Sequence, residues 1–119
     1  MRSCLELVAI FVLVAGCGND TEILPPHDDT CETSILTYEN FGEPFMLDWC
    51  RGCHAEGLPA DMRQGAPSAL NFDDLSTIRE LAPVISINAT GAAPMMPPAA
   101  GPSPEERLLL AEWLACGAP

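Results

Sequence analysis

The 119-residue chain has room for one small domain, and it carries 17 Asp and Glu against five Arg, a formal net charge of −12. Phosphates demand cationic contacts, so this balance argues against nucleic acid as a partner. Charge this far from zero keeps copies apart in solution, and it equally suits a basic partner surface.

Residues 1–16 read as an export signal. Arg2 supplies a minimal positive start, and Leu5 to Val14 form an apolar run interrupted only by Glu6. The run is about half the ~20 residues that a membrane span needs. Val14-Ala15-Gly16-Cys17 resembles the lipobox of bacterial lipoproteins. The resemblance implies cleavage before Cys17, with a diacylglycerol on its thiol and an acyl chain on its amine. Each buried methylene then contributes about 0.8 kcal/mol to anchoring. The expectation is a domain on the periplasmic side of a bacterial membrane, lipid-anchored through Cys17, with the inner and the outer membrane both open. Residues 17–33 are polar, acidic and proline-bearing, a composition that cannot bury a core, and read as a lipidated tether. His27 within it is read as solvated.

The domain proper is expected over residues 34–119. A first helix is expected to start near Glu43-Pro44, since proline is tolerated in an opening turn, with Phe45, Met46 and Trp49 as its apolar positions. Residues 55–72 read as loop, punctuated by Gly57, Pro59, Gly65 and Pro67. A short second helix is expected from Asp74 to Leu81, capped by Asp73 and stopped by Pro83. The prolines and glycines of residues 83–102 predict irregular backbone. The last helix has the clearest start. Ser103-Pro104-Glu105-Glu106 is a capping box with proline at the first helical position. Leu109, Leu110, Trp113 and Leu114 make its buried stripe, Glu105 and Glu112 fall on the other face, and Gly117 follows as the C′ residue. Nothing in the pattern calls for strands, so the fold class is all-α, with about three short helices and long loops.

Between the first helix and the first loop lies Cys50-Arg51-Gly52-Cys53-His54, a C-x-x-C-H signature for covalent haem attachment. Two thiols three residues apart can form thioethers with the two vinyl groups of one porphyrin. The adjacent imidazole then sits beneath the iron as its proximal ligand. Gly52 lets the turn lie close to the ring. Thioether attachment takes place outside the cytoplasmic membrane, where disulfides also persist, so the export signal and the motif agree.

With these residues in view, the domain resembles a small class I-type cytochrome c. Gly42 stands eight residues before Cys50, where that family commonly has the glycine at which the first and last helices cross. Leu110-x-x-Trp113-Leu114 resembles the matching pattern of the last helix, and Met95-Met96-Pro97-Pro98 resembles the M-P-P loop that carries the sixth iron ligand. Met46 stands where the family often has an aromatic residue, with Phe45 beside it. The resemblance implies one haem c held by Cys50 and Cys53, with His54 proximal and Met96 distal, Met95 being the alternative. It implies single-electron transfer to redox partner proteins rather than catalysis. A methionine sulfur favours ferrous iron and raises the reduction potential. The rival within this class is a haem subunit or sensor domain with an open sixth position, which normally has polar distal groups. A thioredoxin-like C-x-x-C would need a βαβ context and a poised thiolate. A structural zinc site would need a fourth ligand.

The remaining cysteines complete the reading. Cys4 falls in the signal, Cys17 carries lipid, and Cys31 and Cys116 are left near the ends of the exported chain. They are either two buried thiols or a disulfide. The disulfide is expected, because the crossing of the first and last helices implied by the resemblance brings the two regions together.

Overall fold

A computed structural model describes residues 28–119. The segment expected to be an export signal, the expected lipidation site Cys17, and His27 lie outside the described residues. Among the described residues four α-helices follow one another: α1 over Asp28–Thr33, α2 over Glu43–Trp49, α3 over Leu75–Ala89 and α4 over Pro104–Ala115. A π-helical turn, Tyr38–Gly42, leads directly into α2, and a 3₁₀ turn spans Ala60–Met62. No strand occurs among the described residues. No helix among them is long and apolar enough to cross a membrane.

Within the segment read as a tether, residues 28–33 form α1. Their anchor is Cys31, placed at disulfide distance from Cys116 with Cα atoms 5.3 Å apart. That separation lies inside the ~4.4–6.8 Å range a disulfide requires. The bridge ties α1 to the C-cap of α4. The C-terminal residues fold back on the same region. Pro119 O accepts from Tyr38 N at 2.6 Å and from the Trp113 indole at 3.3 Å, and Arg79 Nε donates to Ala118 O at 3.1 Å.

The π turn is opened by a reciprocal cap between Thr37 and Asn40, and Pro44 occupies the opening turn of α2. Gly42 joins the two elements and packs against Trp113 of α4, an approach that leaves no room for a side chain. Phe41 adds an edge-on contact to the same indole, with ring centroids 6.1 Å apart. Around this junction the core gathers Phe45, Met46, Ile78, Ile85, Leu110 and Trp113.

Helix α3 corrects two expectations. Its cap is Asp74, whose carboxylate accepts from Thr77 N at 2.9 Å. Asp73 is drawn away to Glu56 N at 2.7 Å and to Arg51 at 3.3 Å, so it braces the loop after α2 instead. The helix also runs through Pro83 to Ala89. An interior proline deprives one carbonyl of its partner and costs about 3 kcal/mol. Beyond it, Ile85 and Ala89 enter the core that Ile78 opens, and their burial offsets that cost. Irregular backbone therefore begins at residue 90 rather than 83.

Helix α4 starts as expected: Ser103 Oγ accepts from Glu106 N at 3.1 Å, and Glu106 accepts from Ser103 N at 2.8 Å. Gly117 follows the helix with φ +85°. The inward stripe is narrower than expected. Leu110, Trp113 and Leu114 are buried, whereas Leu109 is 40% exposed because it lies about 100° around the helix from Leu110.

Candidate haem site

Helix α2 delivers the C-x-x-C-H segment to the edge of an apolar cavity of about 380 Å³. The backbone N–H groups of Cys50 and Arg51 both bond to Met46 O, ending the helix. Cys53 N and His54 N then turn back onto Cys50 O at 3.1 and 3.0 Å. This turn brings both cysteines and the imidazole to one wall of the cavity. Phe45 and Trp49 line it from α2, Val84 and Ile85 from α3, and Met96, Pro97 and Pro98 from the following loop.

His54 is held from behind. Its Nδ1 lies 2.9 Å from Leu70 O, a geometry in which Nδ1–H donates to the carbonyl and Nε2 keeps its lone pair. Phe72 stacks on the ring with centroids 4.8 Å apart, and Phe72 N donates to His54 O at 2.9 Å. Such a bond from the far ring nitrogen orients a metal-ligating histidine and raises its basicity.

Two arginines brace the segments around the cavity, of which Arg63 also lines it, and neither was singled out from the sequence. Arg63 is 5% exposed and donates to the carbonyls of Ala55, Ala66, Pro67 and Leu70 at 2.6–3.2 Å. It organises the loop behind His54 and shares Leu70 O with the imidazole. Arg107 Nη1 donates to Ala89 O at 2.6 Å and to Met96 O at 2.7 Å. The only sequence signal for either was scarcity, since four arginines stand among sixteen acids in residues 17–119. Among the described residues the one ion pair is Arg51–Asp73, at 3.3 Å.

Of the two loop methionines, Met96 lines the cavity and Met95 does not. Met95 is 67% exposed and Met96 39%. Their amides both donate to Asn88 O at 2.9 Å, which hangs the loop from the end of α3.

The Cys50 thiol differs from the poised thiolate of an exchange enzyme. Burial pushes Cys50 up to about 12, with Arg107 pulling weakly the other way. A thiol so far above neutrality is a poor thiolate nucleophile at neutral pH.

No family model matches the chain, and no curated protein and no solved structure is detectably similar to it.

Proposed function

We propose that the protein is a c-type cytochrome of the class I kind, carrying single electrons through one haem c joined to Cys50 and Cys53. The observation that carries this reading is the convergence of Cys50, Cys53, His54 and Met96 on one apolar cavity. The donor set suits the group: two thiols for thioethers, an imidazole with Nδ1 committed to Leu70 O, and a methionine on the loop that lines the same cavity. The close approach of Gly42 to Trp113 supports the cytochrome c-like arrangement of the first and last helices.

The bound haem would supply a reversible one-electron change at iron, without making or breaking a substrate bond. The chain's part is to fix and shield it. His54 would present Nε2, with its ring plane set by Leu70 O and Phe72. Met96 would present its sulfur, a weak ligand that favours the reduced state. The apolar walls would exclude water. The exported, lipid-anchored placement implied by Val14-Ala15-Gly16-Cys17 puts the domain on the periplasmic side, facing redox partner proteins.

Expression with a haem c maturation system tests the reading directly. Covalent haem should survive acid–acetone extraction in the wild type and be lost in C50A/C53A. Haem that stays attached to the double variant rejects the assignment. Met96→Ala should abolish the long-wavelength sulfur-to-iron charge-transfer band and open the ferrous protein to CO, whereas Met95→Ala should leave both unchanged.

A further inference from the structure

We infer that Arg107 is the positioning residue that keeps Met96 over the cavity, and that removing its guanidinium opens the distal position to external ligands. The inference rests on the haem reading above. Arg107 stands one turn before Leu110 on the inward side of α4. A single nitrogen, Nη1, reaches both Ala89 O at the end of α3 and Met96 O in the loop. It thereby joins three segments: α3, α4 and the residue whose side chain faces the cavity.

The remainder of the loop is weakly held. Residues 90–102 contain no helix, and the other backbone bonds that fix Met95 and Met96 come from Asn88, in the helix that the loop itself leaves. Arg107 is the hold that comes from a different helix. Its guanidinium also packs beside Gly101, where a Cβ would lie 2.6 Å from Nη2 and 3.2 Å from Pro97 Cδ. The loop thus closes around one side chain on both sides of Pro97-Pro98.

The consequence follows from bond strengths. A hydrogen bond from a charged donor is shorter and stronger than a neutral one. The bond to Met96 O exists only while the loop is closed, whereas the bond to Ala89 O does not depend on the loop. Losing the former shifts the open–closed balance by about tenfold. A thioether is a weak ligand, so that shift is read directly as access of competing ligands to iron.

The test uses the full chain matured with haem, comparing wild type, Arg107→Gln, Arg107→Lys and Ser103→Ala. The last variant removes the cap of α4 and leaves the Arg107 bonds in place, so it reports plain destabilisation. Imidazole titration of the ferric protein should show about tenfold tighter apparent binding for Arg107→Gln, with Arg107→Lys in between and Ser103→Ala unchanged. Amide hydrogen exchange at Met95 and Met96 should accelerate in Arg107→Gln and not in Ser103→Ala. Unchanged imidazole affinity and exchange in Arg107→Gln overturn the inference, as does an equal shift in Ser103→Ala. If Arg107→Gln does not fold, wild-type behaviour of Arg107→Lys in both assays overturns it. A wild type that acquires no covalent haem rejects the haem reading instead, and the exchange measurement still decides whether Arg107 clasps the loop.

Discussion

Gly42 lies against the face of Trp113: a methyl group added there would sit 2.6 Å from Cη2 and 2.9 Å from Cε2 of the indole. Both partners belong to the core, with Gly42 buried and Trp113 fully so. The contact sets how closely α4 approaches the start of α2, and α2 carries the C-x-x-C-H turn. Gly42→Ala should therefore destabilise the fold by roughly 1–3 kcal/mol through overpacking. Chemical denaturation of the haem-free protein measures it, and a midpoint equal to wild type would show that the approach is not required.

The link between Cys31 and Cys116 closes a loop with a sequence separation of 85. Constraining so long a loop in the unfolded chain contributes about 4.5 kcal/mol in the chain-entropy account. Non-reducing peptide mapping should recover one linked pair carrying these two residues. C31A/C116A should lower the denaturation midpoint markedly. Two freely alkylated thiols in protein kept from reductant would sink the assignment.

Arg63 should be a stability residue. It is buried and satisfies four carbonyls of the loop behind His54. Arg63→Met would leave Ala66 O without its donor and remove one bond each from Ala55 O, Pro67 O and Leu70 O, which keep Leu58 N, Leu70 N and His54 Nδ1. It should cost roughly 2–4 kcal/mol, since bonds to a charged donor are worth about 1.5–3 kcal/mol each and do not add fully. Proteolysis between residues 55 and 70 should speed up in the variant. Wild-type resistance there would reject this role.

In the unmodified protein, the Cys50 thiol should titrate late. Its ordinary value of 9.0 is raised by burial to about 12. Between those limits the unfolded chain gives up a proton that the folded chain keeps. Its contribution to stability is therefore complete below about pH 9 and declines as pH rises toward about 12. In haem-free protein at pH 8, iodoacetamide should react with Cys50 more slowly in the native state than in denaturant. Equal rates in the two states count against the shift.

The proposed lipobox reading of Val14-Ala15-Gly16-Cys17 gives a prediction about processing. Globomycin should accumulate the uncleaved precursor, and Cys17→Ala should release exported domain into the soluble fraction. Retention of that variant on membranes in detergent-free buffer would count against a lipid anchor.

Local chemistry was legible in the sequence. The Ser103–Glu106 box and Pro104 specify the start of α4 because their donors and acceptors lie within one turn. The C-x-x-C-H segment is likewise self-contained, since its spacing alone puts two thiols and an imidazole on one tight turn. Gly42, Trp113 and the Cys31–Cys116 pair were reached through resemblance to a helix crossing, and the structure brings each pair together. What the sequence could not decide depends on partners distant along the chain. Pro83 is a helix breaker by local rules, yet α3 continues through it because Ile85 and Ala89 have a core to enter. Asp73 and Asp74 are equivalent as caps until Glu56 N and Arg51 claim the first. Leu109 shares the apolar character of Leu110 but not its angle toward α3. Arg63 and Arg107 resemble ordinary surface cations in composition. Only the folded chain aims backbone carbonyls at them, from Ala55 to Leu70 in one case and from Ala89 and Met96 in the other.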